Sequence, residues 1–191
     1  MPIILARTAG FCYGVRRAMK LALLASQKKI PRLFTLGPLI HNQQAIDLLK
    51  SRGLCMARDM DDLEKGSRVL IRAHGVPPDV KEALEERSAE VSDATCPHVT
   101  AAQRIVEKHA GAGYSCIIIG DRGHAEVDGL LGYAAGRGHV VESEEDVKAL
   151  PDMERVCIVS QTTQEAERFE ELTGLVKERF GDVLVYKTIC E

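Results

Sequence analysis

Short apolar runs alternate with amphipathic segments along most of the chain. The runs RLFTL (32–36), RVLIRA (68–73), SCIIIG (115–120) and RVCIVS (155–160) have the length of buried strands. Between such runs, the segment VTAAQRIVEKHA (99–110) places its apolar residues on one helical face. Strands that alternate with helices predict parallel sheets covered on both faces. The pattern therefore predicts an α/β fold.

Three further local features refine this outline. The run IILA predicts an opening strand at 3–6. Pro97 is expected in the first turn of a helix, because proline lacks the backbone donor that such a position leaves unused. Thr162 precedes a helical segment over 164–180 and is expected first of all to cap that helix.

The sequence repeats itself with a period of about 85 residues. The paired landmarks are Cys12 with Cys96, His41 with His124, and 68–75 with 155–162, at offsets of 84, 83 and 87 residues. Because the three offsets are nearly equal, the repeat predicts two α/β units, over 1–95 and 96–188. The residues 189–191 resemble the start of a third unit, so we expect two units of a pseudo-threefold trefoil whose third unit is missing.

The amino-acid composition limits the kinds of binding partner that are expected. The net charge is −3, no basic block is present and aromatic residues make up only 4 %, so a nucleic-acid partner is not expected. No apolar run approaches the ~20 residues needed to span a bilayer, so no membrane partner is expected and the cytoplasm is the predicted location. An anionic substrate would have to be bound by a few well-placed groups.

The six cysteines divide into two groups. The absence of a CxxC pair disfavours a zinc ribbon, and a chain of cytosolic type disfavours a disulfide framework. Three cysteines have apolar neighbours and are expected to be small buried side chains: Cys55, Cys116 and Cys157. The other three have polar or turn-like surroundings: Cys12, Cys96 and Cys190.

Three related units would bring Cys12, Cys96 and Cys190 to a common centre. Three thiolates around a soft metal suit iron and sulfide. A 4Fe–4S cluster normally takes four cysteines, so three would leave one iron open to a substrate oxygen. The spacing suggests this centre without proving it.

Histidines and a carboxyl group lie in the same kind of turn. His41, His74 and His124 lie in turns rich in glycine or proline, where imidazoles and free backbone amides could hold a diphosphate. Glu126 is a plausible proton donor. Thr162 could share a proton with a substrate hydroxyl. Each of these residues taken singly is also typical of a solvated polar group or a helix cap.

Six motifs together resemble one known family. The strings AGFCYGVRRA, LGPLIHN, AHGV, DATCP, GDRGHAEVDG and SQTT occur in the order and spacing of the 4-hydroxy-3-methylbut-2-enyl diphosphate reductases. The resemblance covers essentially the whole chain. It implies an oxidoreductase of the non-mevalonate isoprenoid pathway, which removes the C4 hydroxyl of its substrate as water and forms isopentenyl and dimethylallyl diphosphate.

The resemblance also implies roles for individual residues. The implied ligands of a 4Fe–4S cluster are Cys12, Cys96 and Cys190. Glu126 would deliver the proton, and the substrate would contact His41, His74, His124 and Thr162. The implied partners are the allylic diphosphate substrate and a low-potential electron donor such as ferredoxin or flavodoxin.

Two departures from the family leave alternatives open. Ala125 stands where the family commonly has proline, and the family's third unit, with its Ser-x-Asn motif, has no counterpart in the 191 residues. We therefore expect this chain to be inactive on its own. A non-catalytic metal-binding or scaffold fragment is one alternative. A zinc hydrolase is another, disfavoured by the lack of a clustered HxxxH or CxxC ligand pair.

Overall fold

A computed structural model describes residues 4, 9–28 and 31–190 of the chain. The first unit contains the following elements: α1 (Tyr13–Ala25), β1 (Leu33–Leu36), α2 (Gln43–Ser51), β2 (Leu54–Ala57), β3 (Arg68–Ile71), α3 (Pro78–Arg87) and β4 (Glu90–Asp93). The second contains α4 (Pro97–Gly111), β5 (Ser115–Ile119), α5 (Ala125–Tyr133), β6 (Gly138–Val141), α6 (Glu144–Ala149), β7 (Arg155–Ser160), α7 (Ala166–Arg179) and β8 (Asp182–Val185).

The two units contain sheets of the same topology. Their strand orders are β2-β1-β3-β4 and β6-β5-β7-β8, so each strand has a counterpart at the same place in the other sheet. All the strand pairs are parallel. The prediction of two repeated parallel α/β units is confirmed. The predicted strand at 3–6 lies, apart from Ile4, outside the described residues.

The central strands are buried because helices cover both faces of each sheet. In β5 the side chains from Cys116 to Ile119 are fully inaccessible to solvent. This explains why these four consecutive positions are all apolar and do not alternate with polar ones. One face of the second sheet packs against α4 and α5, and the other packs against α6 and α7.

Three local predictions need correction. Thr162 does not cap a helix, because α7 begins only at Ala166, with Glu165 at the N-cap position. Cys55 is only half-buried, since β2 is an edge strand of the first sheet, whereas Cys116 and Cys157 are buried as predicted. The strand β2 itself had not been predicted.

Small residues allow the two units to approach closely. A Cβ atom at Gly132 of α5 would lie 2.5 Å from Cβ of Pro77, at the start of α3. A Cβ atom at Gly75 would lie 2.5 Å from Nε2 of Gln103 on α4. Such distances are shorter than real contacts, so only glycine permits this packing. The turn that follows β3 is thereby held against the second unit.

The longest helix of the described part, α4, has 15 residues. None of the helices in that part combines the length and the apolar character needed to cross a bilayer.

Candidate active site

Cys12 and Cys96 occupy equivalent positions in the two units. Cys12 is the N-cap residue of α1, and Cys96 is the N-cap residue of α4. The N-terminus of a helix carries free backbone N–H groups and a partial positive charge. Cys12 is exposed and Cys96 is half-buried.

Gly14 brings the two cysteine turns into contact. This residue lies in the first turn of α1, two positions after Cys12. A Cβ atom at Gly14 would lie 2.5 Å from Sγ of Cys96. The start of α1 is thus packed directly on the second cysteine. The guanidinium of Arg17 strengthens this contact by donating to the carbonyl oxygens of Thr95 at 3.0 Å and Asp93 at 3.1 Å.

Cys190 is held beside the strand β7 by a regular series of hydrogen bonds. The N–H of Tyr186 donates to the carbonyl of Ile158 at 2.9 Å, and the N–H of Cys190 donates to the carbonyl of Thr162 at 2.7 Å. Between them, the hydroxyl of Thr188 donates to the carbonyl of Ser160 at 2.7 Å and accepts from its N–H at 2.8 Å. The Thr188 side chain thus continues the pairing beyond the end of β8.

The same arrangement occurs around Cys96. Its N–H donates to the carbonyl of Ala73 at 2.9 Å, in the turn after β3, just as Cys190 bonds to the turn after β7. Partial burial raises the pKa of the Cys190 thiol, and the nearby Cys96 and Cys12 raise it further. Gly14 brings the turns of Cys12 and Cys96 together, and the amide of Cys190 bonds to the equivalent turn after β7. Three thiols in equivalent turns form a donor set that fits a soft metal centre.

The three predicted histidines form one cluster. They follow β1, β3 and β5, so parallel strand ends from both sheets bring them together. The ring centroids of His41 and His74 are 4.6 Å apart, those of His74 and His124 are 5.4 Å apart, and those of His41 and His124 are 5.9 Å apart. One nitrogen from each ring lies within 4.8 Å of the other two.

His74 is the histidine whose protonation is most altered. Burial first, and then the neighbouring His41, His124 and Arg72, together lower the pKa of His74 to about 4. The pKa of His124 is also lowered, first by burial. At neutral pH His74 is therefore held as a neutral imidazole.

Glu126 is a buried carboxyl group beside this cluster, with 1 % of its surface exposed. The backbone N–H of Thr162 donates to one of its oxygens at 2.6 Å, and the Thr162 hydroxyl contacts the other at 2.9 Å. Burial raises the pKa of Glu126, although both hydrogen bonds from Thr162 oppose the shift. The carboxyl group is thus kept protonated to higher pH than usual, as a proton donor requires.

His124 and Glu126 are fixed by the start of α5. His124 is the N-cap residue of this helix, and its Nδ1 accepts the N–H of Glu126 at 3.2 Å. This bond orients the imidazole and directs Glu126 into the first turn. The segment GHAE therefore folds as a helix start whose capping group and first carboxylate both face the site.

Two residues of this region were missed from sequence. Arg72 bridges two histidine turns: its Nε donates to the carbonyl of Gly75 at 3.3 Å, and its Nη1 would lie 2.8 Å from a Cβ at Gly37. Burial lowers the pKa of Arg72, and Asp128 opposes this. Arg72 could have been recognised in the sequence, because this charged residue directly follows the apolar residues of a predicted strand. Gln103 offered no signal, since its role depends on contacts between the units.

The strand ends of two parallel α/β sheets thus bring together thiols, imidazoles and a buried carboxyl group, a combination found in metal-dependent enzymes. The model of the LytB protein family matches residues 3–191. The chain belongs to the LytB family.

Curated relatives and solved structures agree with this assignment. The 4-hydroxy-3-methylbut-2-enyl diphosphate reductase of Geobacter sp. (strain M21) is 42 % identical over 191 residues, which are 100 % of this chain and 67 % of the relative. The enzyme of the same name from Aquifex aeolicus (strain VF5) is 42 % identical, over 98 % of this chain and 66 % of the relative. The chain therefore spans about two thirds of the length of these relatives.

Two solved structures are similar to the fold described above. One is a structure of (E)-4-hydroxy-3-methyl-but-2-enyl diphosphate reductase, the terminal enzyme of the non-mevalonate pathway, with a TM-score of 0.86 and 41 % identity over 98 % of this chain and 68 % of that one. The other is the E-1-hydroxy-2-methyl-but-2-enyl-4-diphosphate reductase of Plasmodium falciparum, with a TM-score of 0.90 and 28 % identity over 96 % of this chain and 59 % of that one.

Proposed function

We propose that this chain supplies the cluster-binding and proton-delivering parts of a 4-hydroxy-3-methylbut-2-enyl diphosphate reductase. The reaction replaces the C4 hydroxyl of the allylic diphosphate by hydrogen and releases water, with two electrons and two protons taken up. The observation that supports it best is the buried Glu126 carboxyl group, bonded to Thr162 between the histidine cluster and Cys190. The unit boundaries 1–95 and 96–188 belong to the same proposal.

In this proposal Cys12, Cys96 and Cys190 hold a 4Fe–4S cluster. When bound, the cluster would supply electrons from a low-potential donor of the ferredoxin or flavodoxin type and a Lewis-acidic iron for the substrate hydroxyl. The positive ends of α1 and α4 favour the negative charge of thiolate ligands. The thiols therefore lie in surroundings suited to such a ligand role.

The histidines and Arg72 bind the diphosphate in this proposal. A neutral imidazole at His74 avoids a buried positive charge, and protonation on anion binding would create a charge-assisted hydrogen bond. The exposed His41 lies at the entrance. Arg72 supplies a permanent positive charge nearby, since a guanidinium stays protonated in proteins.

Glu126 donates the proton that leaves with the hydroxyl oxygen as water. Its raised pKa keeps the carboxyl group protonated to a higher pH than an exposed carboxyl group. The Thr162 hydroxyl can accept the hydrogen bond of that proton or donate to the carboxylate once the proton has left. Because Thr162 also accepts from the N–H of Cys190, the donor is held at a constant position relative to this cysteine.

The experiment that tests this function compares Glu126→Gln with an unchanged chain. The 191-residue chain is assayed alone and after fusion to the remaining third of the Geobacter relative, with a low-potential reductant and the allylic diphosphate. Glutamine keeps the shape and the hydrogen bonds to Thr162 but cannot donate a proton. Turnover should fall by about a hundred- to ten-thousand-fold.

Two controls accompany this assay. Glu171→Gln changes an exposed carboxylate on α7 and should leave turnover unchanged. Iron content and substrate affinity of Glu126→Gln should remain close to those of the unchanged chain. Near-normal turnover of Glu126→Gln would remove Glu126 from the mechanism. A loss of iron in that variant would show that its effect is structural.

A further inference from the structure

The histidine cluster has the geometry of a metal site. In a tetrahedral zinc site with Zn–N distances of about 2.05 Å, ligand nitrogens lie about 3.3 Å apart and ring centroids about 5.2 Å apart. Here the centroid separations are 4.6, 5.4 and 5.9 Å, and one nitrogen of each ring lies within 4.8 Å of the others. Small side-chain rotations would bring the three nitrogens to one ion.

The imidazoles also have nitrogens free to bind. Nδ1 of His124 accepts the N–H of Glu126, which leaves its Nε2 available. Nδ1 of His74 is buried and has no hydrogen-bond partner among the described residues. An unsatisfied buried nitrogen carries a free-energy cost that a ligand can remove. The His74 nitrogen is an observation independent of the distances between the rings.

Charges of both signs lie near the cluster. Arg72 disfavours positive charge at His74 and His124, whereas Asp121 and Asp128 favour it at His124. Three imidazoles with an open position are a common zinc ligand set, and imidazole prefers zinc, copper or nickel to magnesium. We propose that His41, His74 and His124 together bind a divalent transition-metal ion of the zinc type.

The site proposed here is distinct from the cysteine centre and does not depend on the reductase function. Its ligands are imidazoles on the turns after β1, β3 and β5, and it needs no electron transfer. A divalent ion at this place would occupy the space proposed for the diphosphate. Free zinc would then block that space in the enzyme.

The test is a titration with Co²⁺ and Zn²⁺ in a chain without competing thiols. The background variant is Cys12→Ser/Cys96→Ser/Cys190→Ser, whose folding is checked by circular dichroism. One equivalent of Co²⁺ should bind and give the strong visible absorption of a four-coordinate ion, and Zn²⁺ should displace it. His41→Ala or His74→Ala in this background should weaken binding at least about tenfold, whereas His139→Ala on β6 should not.

Two results would overturn the proposal. Equal Co²⁺ affinity of the His41→Ala and His139→Ala variants would place the ion elsewhere, and a spectrum of hydrated six-coordinate Co²⁺ would show that no site forms. If the triple serine variant does not fold, the same titration is made on the unchanged chain after alkylation of its exposed thiols. Neither version involves a cluster or turnover, so failure here leaves the reductase proposal untouched.

Discussion

At the scale of single residues, His74 shows how packing changes the chemistry of a side chain. An imidazole near the surface titrates close to pH 6.5. At His74, burial and three neighbouring groups that can carry positive charge lower the pKa to about 4. Because the unfolded chain binds a proton at a higher pH than the folded chain, acid favours unfolding at this site.

This difference predicts the pH dependence of stability. Above about pH 7 the lowered pKa of His74 has no effect on the free energy of unfolding. This free energy falls as the pH decreases from about 6.5 to about 4. The glutamine in His74→Gln cannot take up a proton, so this variant should lose less stability than the unchanged chain as the pH falls. The difference should reach about 2 kcal/mol at about pH 5, measured by urea unfolding. If the free energy of unfolding of both proteins changed equally with pH, the lowered pKa of His74 would be contradicted.

The sequence was sufficient to predict most of the chemically reactive residues of the site, but not their burial or their hydrogen-bond partners. His41, His74, His124 and Glu126 were found because each lies in a turn that follows an apolar run. The burial of Glu126 and its bond to Thr162 depend on a contact between residues 36 positions apart. No local pattern encodes such a contact, which is why Thr162 was first expected to cap a helix.

At the scale of elements, the start of α1 is fitted to the second cysteine turn. A glycine-to-alanine change within a helix normally stabilises it by about 0.5–1 kcal/mol. At Gly14 the added Cβ would lie 2.5 Å from Sγ of Cys96, so either the thiol or the helix must move.

Gly14→Ala should therefore destabilise the chain and lower its retention of iron after reconstitution. The control is Gly174→Ala on α7, where an added Cβ meets no atom within 4 Å. The control should keep its iron and gain slightly in melting temperature. Equal behaviour of the two variants would show that the contact between α1 and Cys96 does not constrain the site.

In the segment after β8, the Thr188 hydroxyl supplies the bonds between the two backbone pairings of Tyr186 and Cys190. Thr188→Val keeps the shape of the side chain but leaves the buried N–H and carbonyl of Ser160 without this partner. The expected loss is about 1–3 kcal/mol of unfolding free energy, together with faster hydrogen exchange of the Cys190 amide. Thr188→Ser should restore both values. Slow exchange at Cys190 in Thr188→Val would show that the backbone alone holds the segment.

Element prediction succeeded for the continuous apolar strands β5 and β7 and missed the strand β2 at the edge of the first sheet. The strands β5 and β7 are buried on both faces, and their continuous apolar runs made them visible in the sequence. The strand β2 has four residues and begins only three positions after the end of α2, and its Met56 is exposed. Its place at the sheet edge is set by pairing with β1, a tertiary property.

At the scale of the whole molecule, the repeat determines where the reactive groups lie. Both sheets have the same strand order, so their carboxyl ends present the same series of turns. Cys96 and Cys190 follow the corresponding strands β4 and β8, and each amide bonds to the turn after the neighbouring strand. The sequence period made this correspondence predictable. The close packing between the units was not, because it depends on Gly75 and Gly132 meeting residues of the other unit.

We propose that Cys12, Cys96 and Cys190 jointly hold an iron–sulfur cluster. The most direct measurement is the iron and sulfide content after anaerobic reconstitution, together with the electron paramagnetic resonance of the reduced protein. The unchanged chain should bind about four iron and four sulfide ions. Cys96→Ser should bind far less, while Cys55→Ser, which alters another half-buried thiol, should match the unchanged chain. Equal iron and sulfide contents in Cys96→Ser and Cys55→Ser would contradict the claim.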